Sequence, residues 1–431
     1  MSKSFTAISR MPTLVFVFLL AIGFAVFSTR TGIHLLVPNR WQAHVPFRQL
    51  LTGGASEIGG TPRRNGNLRK RIEWETTQNF PFRVRTLELA ARFEQFVRWN
   101  IPTLKPGYVP FRIDGRFWGR SVYHAPEDLD RAFERIKALV RFLRYRGIPV
   151  LYVRPPRRTL TTDRLAFSVF DFESETDENI SRRLDEIGIP VLNLDSVMLG
   201  HHQDKKSFFY GSDHHLRNNA SRWAGLAIMT RLVDNGWTCD FNFNSLEDRC
   251  FTESVFPNAF LGSFSRKATL AACPSDDFSI PARMDGGGSF ELETISQDGK
   301  RTIETGDYSM LLDDAIPIDH VPSYRTLSLY SVFLRQNPPL TVIRNKTHPN
   351  GPRILLFSDS LDNAMLVFLA CGAGEIASVD NREGLIPVSV LLDGRSFDAA
   401  VVMYDGFPYE ALVNSLPHSE PQPINISQQN R

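Results

Sequence analysis

Cysteine is scarce in this sequence, four among 431 residues, too few for a domain held together by a disulfide framework. An excess of charge of one sign is lacking as well. Lysine and arginine number 49 against 47 aspartates and glutamates, a net charge of +2, so no bulk attraction to nucleic acid follows. There is no internal repeat and no collagen-like pattern. Apolar runs of near-spanning length occur once, which excludes a multi-spanning membrane protein. What remains is an ordinary globular balance, 42% hydrophobic and 22% charged. At ~150 residues per domain, the length allows one large domain or two to three smaller ones. The 32 phenylalanines suit a large core or an aromatic groove.

The single long apolar run stands near the start, from Met11 to Phe27, with Lys3 and Arg10 before it and Ser28, Thr29 and Arg30 closing it. A spanning helix needs ~20 apolar residues, ~17 at the least, whereas the core of a signal peptide has ~7–15. The run sits at this border, and no Ala-x-Ala cleavage site follows it. An uncleaved anchor over residues 1–29 is therefore expected ahead of a cleaved signal peptide or a buried helix. Positive charge before the run predicts that the remainder is translocated, periplasmic or extracellular, and secreted if the segment is cleaved. In such an oxidising compartment Cys239 and Cys250, which flank a short polar stretch, either close a disulfide or stand as two thiols.

Residues 30–78 read as a flexible basic linker, with Gly53-Gly54, Gly59-Gly60, Pro62 and the cluster Arg63, Arg64, Arg69, Lys70 and Arg71. A folded domain is expected over 79–415, and a polar, disordered tail over 416–431. Leu87, Leu89, Ala90, Phe93, Phe96 and Val97 recur at helical spacing. Pro126-Glu127-Asp128 starts an amphipathic helix that Gly147 ends, and Ile148–Val153 follows as an apolar strand. The same order recurs at Ile180–Ile187, Gly188 and Ile189–Leu194. A helix over Asn218–Asn235 and strands at Arg353–Phe357, Ile376–Val379 and Phe397–Met403 complete the pattern. Helices alternating with fully apolar strands predict an α/β fold with a buried, mainly parallel sheet. Residues 260–345 break the rhythm, and the alternation at Phe290–Ile295 and Arg301–Ile303 predicts a β-rich insert there.

Two segments carry chemistry. Leu355-Leu-Phe-Ser-Asp-Ser-Leu-Asp-Asn363 runs from an apolar strand into a helix. This places Ser360 at the C-terminal edge of the sheet, where open α/β folds bind ligands, beside helix N–H groups able to hold an oxyanion. Simple helix capping by Ser358, Asp359 and Ser360 is the plainer alternative. A serine nucleophile needs a base, and the base an orienting carboxylate. Tyr210-Gly-Ser-Asp-His-His-Leu216 offers both. In an extended segment residues two apart share a side, so Asp213 and His215 face one way and His214 the other. The alternatives are a loop of solvated histidines, or a metal pair involving His201 and His202 that lacks further ligands. No cofactor is called for.

An Asp-x-His before a helix, followed downstream by strand, Asp-Ser-x-x-Asn and helix, resembles the SGNH-hydrolase-like O-acetyltransferases of alginate biosynthesis (the AlgX/AlgJ-like group). It is closer still to the related DHHW family, whose Asp-His-His-Trp and Asp-Ser-Phe-Ala-Asn correspond to Asp213–Leu216 and Asp359–Asn363 here. Arg154-Pro-Pro-Arg157, Leu261-Gly-Ser-Phe264 and Val379-Asp-Asn-Arg382 fit the same order more weakly. Leu216 and Ser358 depart from the pattern. The resemblance implies a flavodoxin-like sheet with flanking helices and a circularly permuted motif order, since the Asp-x-His precedes the serine. It implies Ser360 as nucleophile, His215 as base, Asp213 as its orienter, and Asn363 and Arg382 at the acyl oxygen or substrate. The activity implied is O-acetylation of a polysaccharide acceptor, with acetyl groups delivered by a membrane-bound acyltransferase. An esterase with the same triad and a non-catalytic glycan-binding scaffold remain open alternatives.

Overall fold

The computed structural model describes residues 111–113, 116–118, 125–156, 172–200, 205–263, 275–313, 329–334, 338–380 and 387–404. The chain divides into two units, Met1–Pro102 and Thr103–Arg431, and everything below concerns the second. The apolar run at 11–27, the basic linker, the helical pattern at 87–97 and the tail lie outside the described residues. Among the described residues no helix is long and apolar enough to cross a membrane.

A short hairpin, β1 (Phe111–Ile113) and β2 (Arg116–Trp118), comes first. Helix α1 (Pro126–Tyr145) begins with proline in its first turn and Glu127 and Asp128 against the positive end of its dipole. It buries Phe133, Ile136, Leu139, Val140 and Leu143 along one face. Gly147, at φ 75°, ends it in the left-handed conformation that glycine adopts without strain. The Ile148 N–H returns to the Leu143 carbonyl at 3.0 Å, and the chain enters β3 (Val150–Arg154). The device repeats: α2 (Phe172–Glu186), Gly188 at φ 69°, the Ile189 N–H on the Leu184 carbonyl at 2.9 Å, then β4 (Val191–Asn193). Two short helices, α3 (Leu194–Gly200) and α4 (Lys205–Phe208), lead to α5 (Asn218–Asp234).

β5 (Phe251–Phe260) and β6 (Asp276–Arg283) form a separate antiparallel ladder. β7 (Phe290–Ile295), β8 (Arg301–Gly306) and β9 (Leu340–Asn345) follow, then β10 (Arg353–Phe357), α6 (Asn363–Gly372), β11 (Glu375–Val379), α7 (Val388–Leu391) and β12 (Ala399–Val402). The central sheet has eight strands in the order β4-β3-β12-β10-β11-β9-β7-β8. The five from β4 to β11 run parallel, and β9, β7 and β8 continue the sheet antiparallel. The fold is thus α/β, with a mostly parallel sheet between helices. The hairpin expected within 260–345 forms as β7 and β8. Yet three strands of that stretch belong to the central sheet, joined through β9 to β11, so it extends the core sheet and does not stand apart as a lobe.

Side-chain alternation builds two cores. Leu151, Val153, Ile354, Leu356, Ala399 and Val401 face α5, α6 and the β5–β6 ladder. Val150, Tyr152, Leu355, Phe357, Ala400 and Val402 face α1, α2 and α7. α6 is buried on every side, as an interior helix is when apolar all round.

Candidate active site

Ser360 follows β10 by three residues. The strand is held on both sides by parallel neighbours, β11 and β12, so its C-terminal edge is a fixed platform. The chain then makes a 3-10 turn, Ser360–Asp362, before α6. Asp359 caps this turn: its carboxylate accepts the Leu361 N–H at 3.0 Å. The cap engages the very N–H that the helix start would otherwise offer to an oxyanion. The Ser360 N–H, at the first position of the turn, belongs to those that lack an intrahelical acceptor.

The base comes from the loop between α4 and α5. A bridge between Phe209 and Leu216 closes that loop. Leu216 is buried there as a core residue, so the position where the resemblance has tryptophan serves packing. The loop is tied to β6 by Asp276, whose two carboxylate oxygens accept the Gly211 and Ser212 N–H groups at 2.7 Å each. Arg217 leads into α5, its guanidinium over the Tyr210 ring.

These elements bring the three expected residues into one chain of hydrogen bonds. His215 Nδ1 donates to Asp213 Oδ1 at 2.8 Å, and His215 Nε2 lies 3.1 Å from Ser360 Oγ. With Nδ1 protonated, Nε2 presents a lone pair to the serine hydroxyl. Asp213 is fully buried. Burial on its own would favour the protonated carboxyl. The positive potential of His215 and the N–H donors of both histidines outweigh it and hold Asp213 well below the usual carboxylate range. His215 is buried too, and that burial, reinforced by the neighbouring His214, lowers its pKa against the pull of Asp213. The imidazole is therefore biased toward its neutral form, with the Nε2 lone pair available to accept a proton.

His214 does not point away. Its Nδ1 lies 3.0 Å from Asp213 Oδ1 and 2.9 Å from Ser263 Oγ, and its ring lies 4.1 Å from that of His215. The segment is a tight turn, not an extended strand, so residue alternation fails and both imidazoles converge on one carboxylate. Asp213, His214 and His215 also bring ligand atoms within 4.8 Å of one another. The carboxylate already accepts the backbone N–H groups of His214, His215 and Ser263 besides His215 Nδ1. That donor set suits hydrogen bonding, and an ion there would have to displace it.

Further residues complete the site. The Ser263 N–H donates to Asp213 Oδ2 at 2.7 Å. A Cβ on Gly262 would lie 2.3 Å from Asp213 Cβ and 2.5 Å from the Ser212 carbonyl, so only glycine lets this loop approach. Both residues belong to the weakly matching Leu261-Gly-Ser-Phe264, whose role the sequence did not reveal. Tyr330 had no sequence signal at all. Its ring stacks on His215, centroids 3.9 Å apart at 23°, and its hydroxyl donates to the Leu361 carbonyl at 3.2 Å. It thus links base and nucleophile turn. Asn363 is buried in the first turn of α6. Arg382, His201, His202 and Phe264 lie outside the described residues. The disulfide considered between Cys239 and Cys250 is not formed: both are free thiols. Cys239 is exposed, and the Cys250 thiol donates to the Asn244 carbonyl instead.

No family model matches the sequence, and no curated protein does. The fold matches solved structures. PatB1 of Bacillus cereus superposes with a TM-score of 0.56 at 14% identity, over 71% of this chain and 97% of PatB1. PatB1 with a sulfonyl adduct gives 0.55 at 14% identity, over 70% and 99%. A DHHW family protein of Eubacterium siraeum gives 0.53 at 15% identity, over 74% of this chain and 98% of that one. At these identities the likeness is one of fold.

Proposed function

We propose that this chain is an extracytoplasmic O-acetyltransferase that modifies a cell-surface or secreted polysaccharide through an acetyl-serine intermediate. The observation that carries the reading is the Asp213–His215–Ser360 chain, with distances of 2.8 and 3.1 Å, at the C-terminal edge of the parallel sheet. Ser360 Oγ attacks the acetyl carbonyl while His215 Nε2 takes its proton. Asp213 holds the imidazole and stabilises the cation it becomes. The oxyanion is held at the turn by the Ser360 N–H and the Asn363 side chain, since Asp359 engages the Leu361 N–H. Collapse expels the donor's leaving group, which takes the proton from His215. In the second half a sugar hydroxyl gives its proton to His215, attacks the acetyl-serine and leaves as the acetyl ester, and the proton returns to Ser360. Arg382 is assigned to anionic substrate or the acyl oxygen.

The apolar run at 11–27 is assigned as the membrane anchor, which would keep the domain beside a membrane-bound acyltransferase that supplies acetyl groups. The base preceding the nucleophile in sequence agrees with a permuted motif order. Hydrolysis is the second reading. Ser360 is only partly buried and the His214 side chain is 33% exposed, so water as well as a sugar reaches the acyl group.

The test takes the full-length protein, its Ser360→Ala and His215→Ala variants, and 4-nitrophenyl acetate, with and without glycan acceptors. Acetyl turnover lost in both variants, and an acetyl adduct on the Ser360 peptide by mass spectrometry, are expected. An acetylated glycan marks the transferase, and free acetate alone marks the esterase. Equal rates in all three proteins with no adduct would leave a non-catalytic scaffold.

A further inference from the structure

Beneath the nucleophile turn lies a second carboxyl that acyl transfer does not use. Asp362 is 1% exposed. Its Oδ2 accepts the Ser358 hydroxyl, and Ser358 Oγ lies 3.3 Å from Ser378 Oγ on β11. Its Oδ1 is buried with no hydrogen-bond partner among the described residues. The charged groups acting on it are acidic: Asp359 from the same turn and Asp380 from the residue after β11. The phenol of Tyr330, which packs over the turn and interacts with Asp362, is kept protonated by burial. An ionised carboxylate here would leave one oxygen without a donor and repel two neighbouring carboxylates, a cost of several kcal/mol. A neutral acid removes the repulsion and reduces the cost at Oδ1 to that of an uncharged polar atom without a partner.

We infer that Asp362 is a neutral carboxylic acid acting as a positioning residue, which fixes the Ser358–Ser360 turn through Ser358 and keeps negative charge away from the carbonyl under attack. Burial, with Asp359 and Asp380, raises its pKa well above the ordinary carboxylate value despite the Ser358 bond, in agreement with the geometry. The inference rests on Ser360 being the nucleophile. It adds a reason for the turn to be built as it is. The oxyanion forms over a floor with no net charge from this side chain, tied through Ser358 toward β11.

Two measurements on the full-length protein test it. The first is the infrared difference between wild type and D362N at neutral pH, which reports a protonated-carboxyl stretch lost in the variant. The second is the rate of Ser360 sulfonylation by an arylsulfonyl fluoride as a function of pH. D362N, neutral and of similar shape, should label within about threefold of wild type at neutral pH and lack any alkaline decline that Asp362 imposes. D362A should label on the order of tenfold or more slowly, the scale of a misplaced reacting group, with Tm showing that it folds. If D362A does not fold, S358A carries this arm, because it keeps the acid and removes its link to the turn. The absence of the infrared band would overturn the inference. So would D362A or S358A labelling at the wild-type rate and pH profile. Wild type that shows the band but does not label at Ser360 would sink the acyl-transfer reading, and the positioning role with it, while leaving Asp362 a buried neutral acid.

Discussion

At the scale of single residues, the site turns on one carboxylate shared by two imidazoles. A protonated His214 lowers the pKa of His215, and the His214 ring also approaches the oxygen that orients the base. Replacing His214 by glutamine removes both effects. The pKa of His215 then rises, so the base is protonated at higher pH. The acid limb of the pH–rate profile should move to higher pH, with activity lost on that limb and little change on the alkaline side; an unmoved limb would show that His214 has no hold on the base. Asp213→Asn should cost about 10³–10⁴-fold in turnover through loss of the productive tautomer, measured with 4-nitrophenyl acetate. Asp213, His215 and Ser360 were legible because their chemistry is local and stereotyped. The place of His214 was not, because it follows from a turn that the alternation of an extended chain does not describe. Tyr330 was not legible because stacking between distant segments leaves no local mark.

At the scale of elements, the base loop depends on partners far along the chain. Asp276 on β6 fixes the Gly211 and Ser212 amides, and the 261–263 segment closes on Asp213. Asp276→Ala leaves two amides without their acceptor and should destabilise the protein by about 1–3 kcal/mol, read as a fall in Tm with a loss of kcat that exceeds any change in KM. Gly262→Ala should have a similar effect on turnover, since its Cβ meets backbone and Asp213; wild-type turnover would contradict the close approach. The helices and parallel strands were legible from their period and from the glycines that end α1 and α2. β5 was not, because it carries a proline at 257 and no alternation. β9 was missed as a strand of the central sheet, which it joins antiparallel to β11. Its apolar face reads as hairpin or insert until its pairing with β11 is known.

At the scale of the whole molecule, the antiparallel extension is fastened to the sheet by charge. Glu293 on β7 is fully buried and receives Arg301 at 2.8 Å, Arg344 at 2.9 Å and Arg395 at 2.5 Å. Burial opposes its ionisation, but the bonds from Arg395, Arg344 and Arg301 prevail and bring its pKa to about 2. A depressed carboxylate contributes stability that is complete above its unfolded value of about 4.3 and is lost as pH falls toward 2. This contribution is about 3 kcal/mol at neutral pH. Glu293→Gln should therefore melt well below wild type at pH 7, and the two Tm values should converge as pH falls from about 4.5 to 2. A constant gap would show that the charge is not what holds the edge.

The sheet order also fixes when the site can exist. β10, which presents Ser360, lies between β12 and β11, and both follow it in sequence. β12 is moreover the strand that joins β10 to β3. A chain made from its N-terminus thus has its base first, its nucleophile later, and the nucleophile's seat last. Synthesis has passed β12 before the two can meet in their final geometry. The order of the strands alone thus delays assembly of the Asp213–His215–Ser360 chain until β12 has been made.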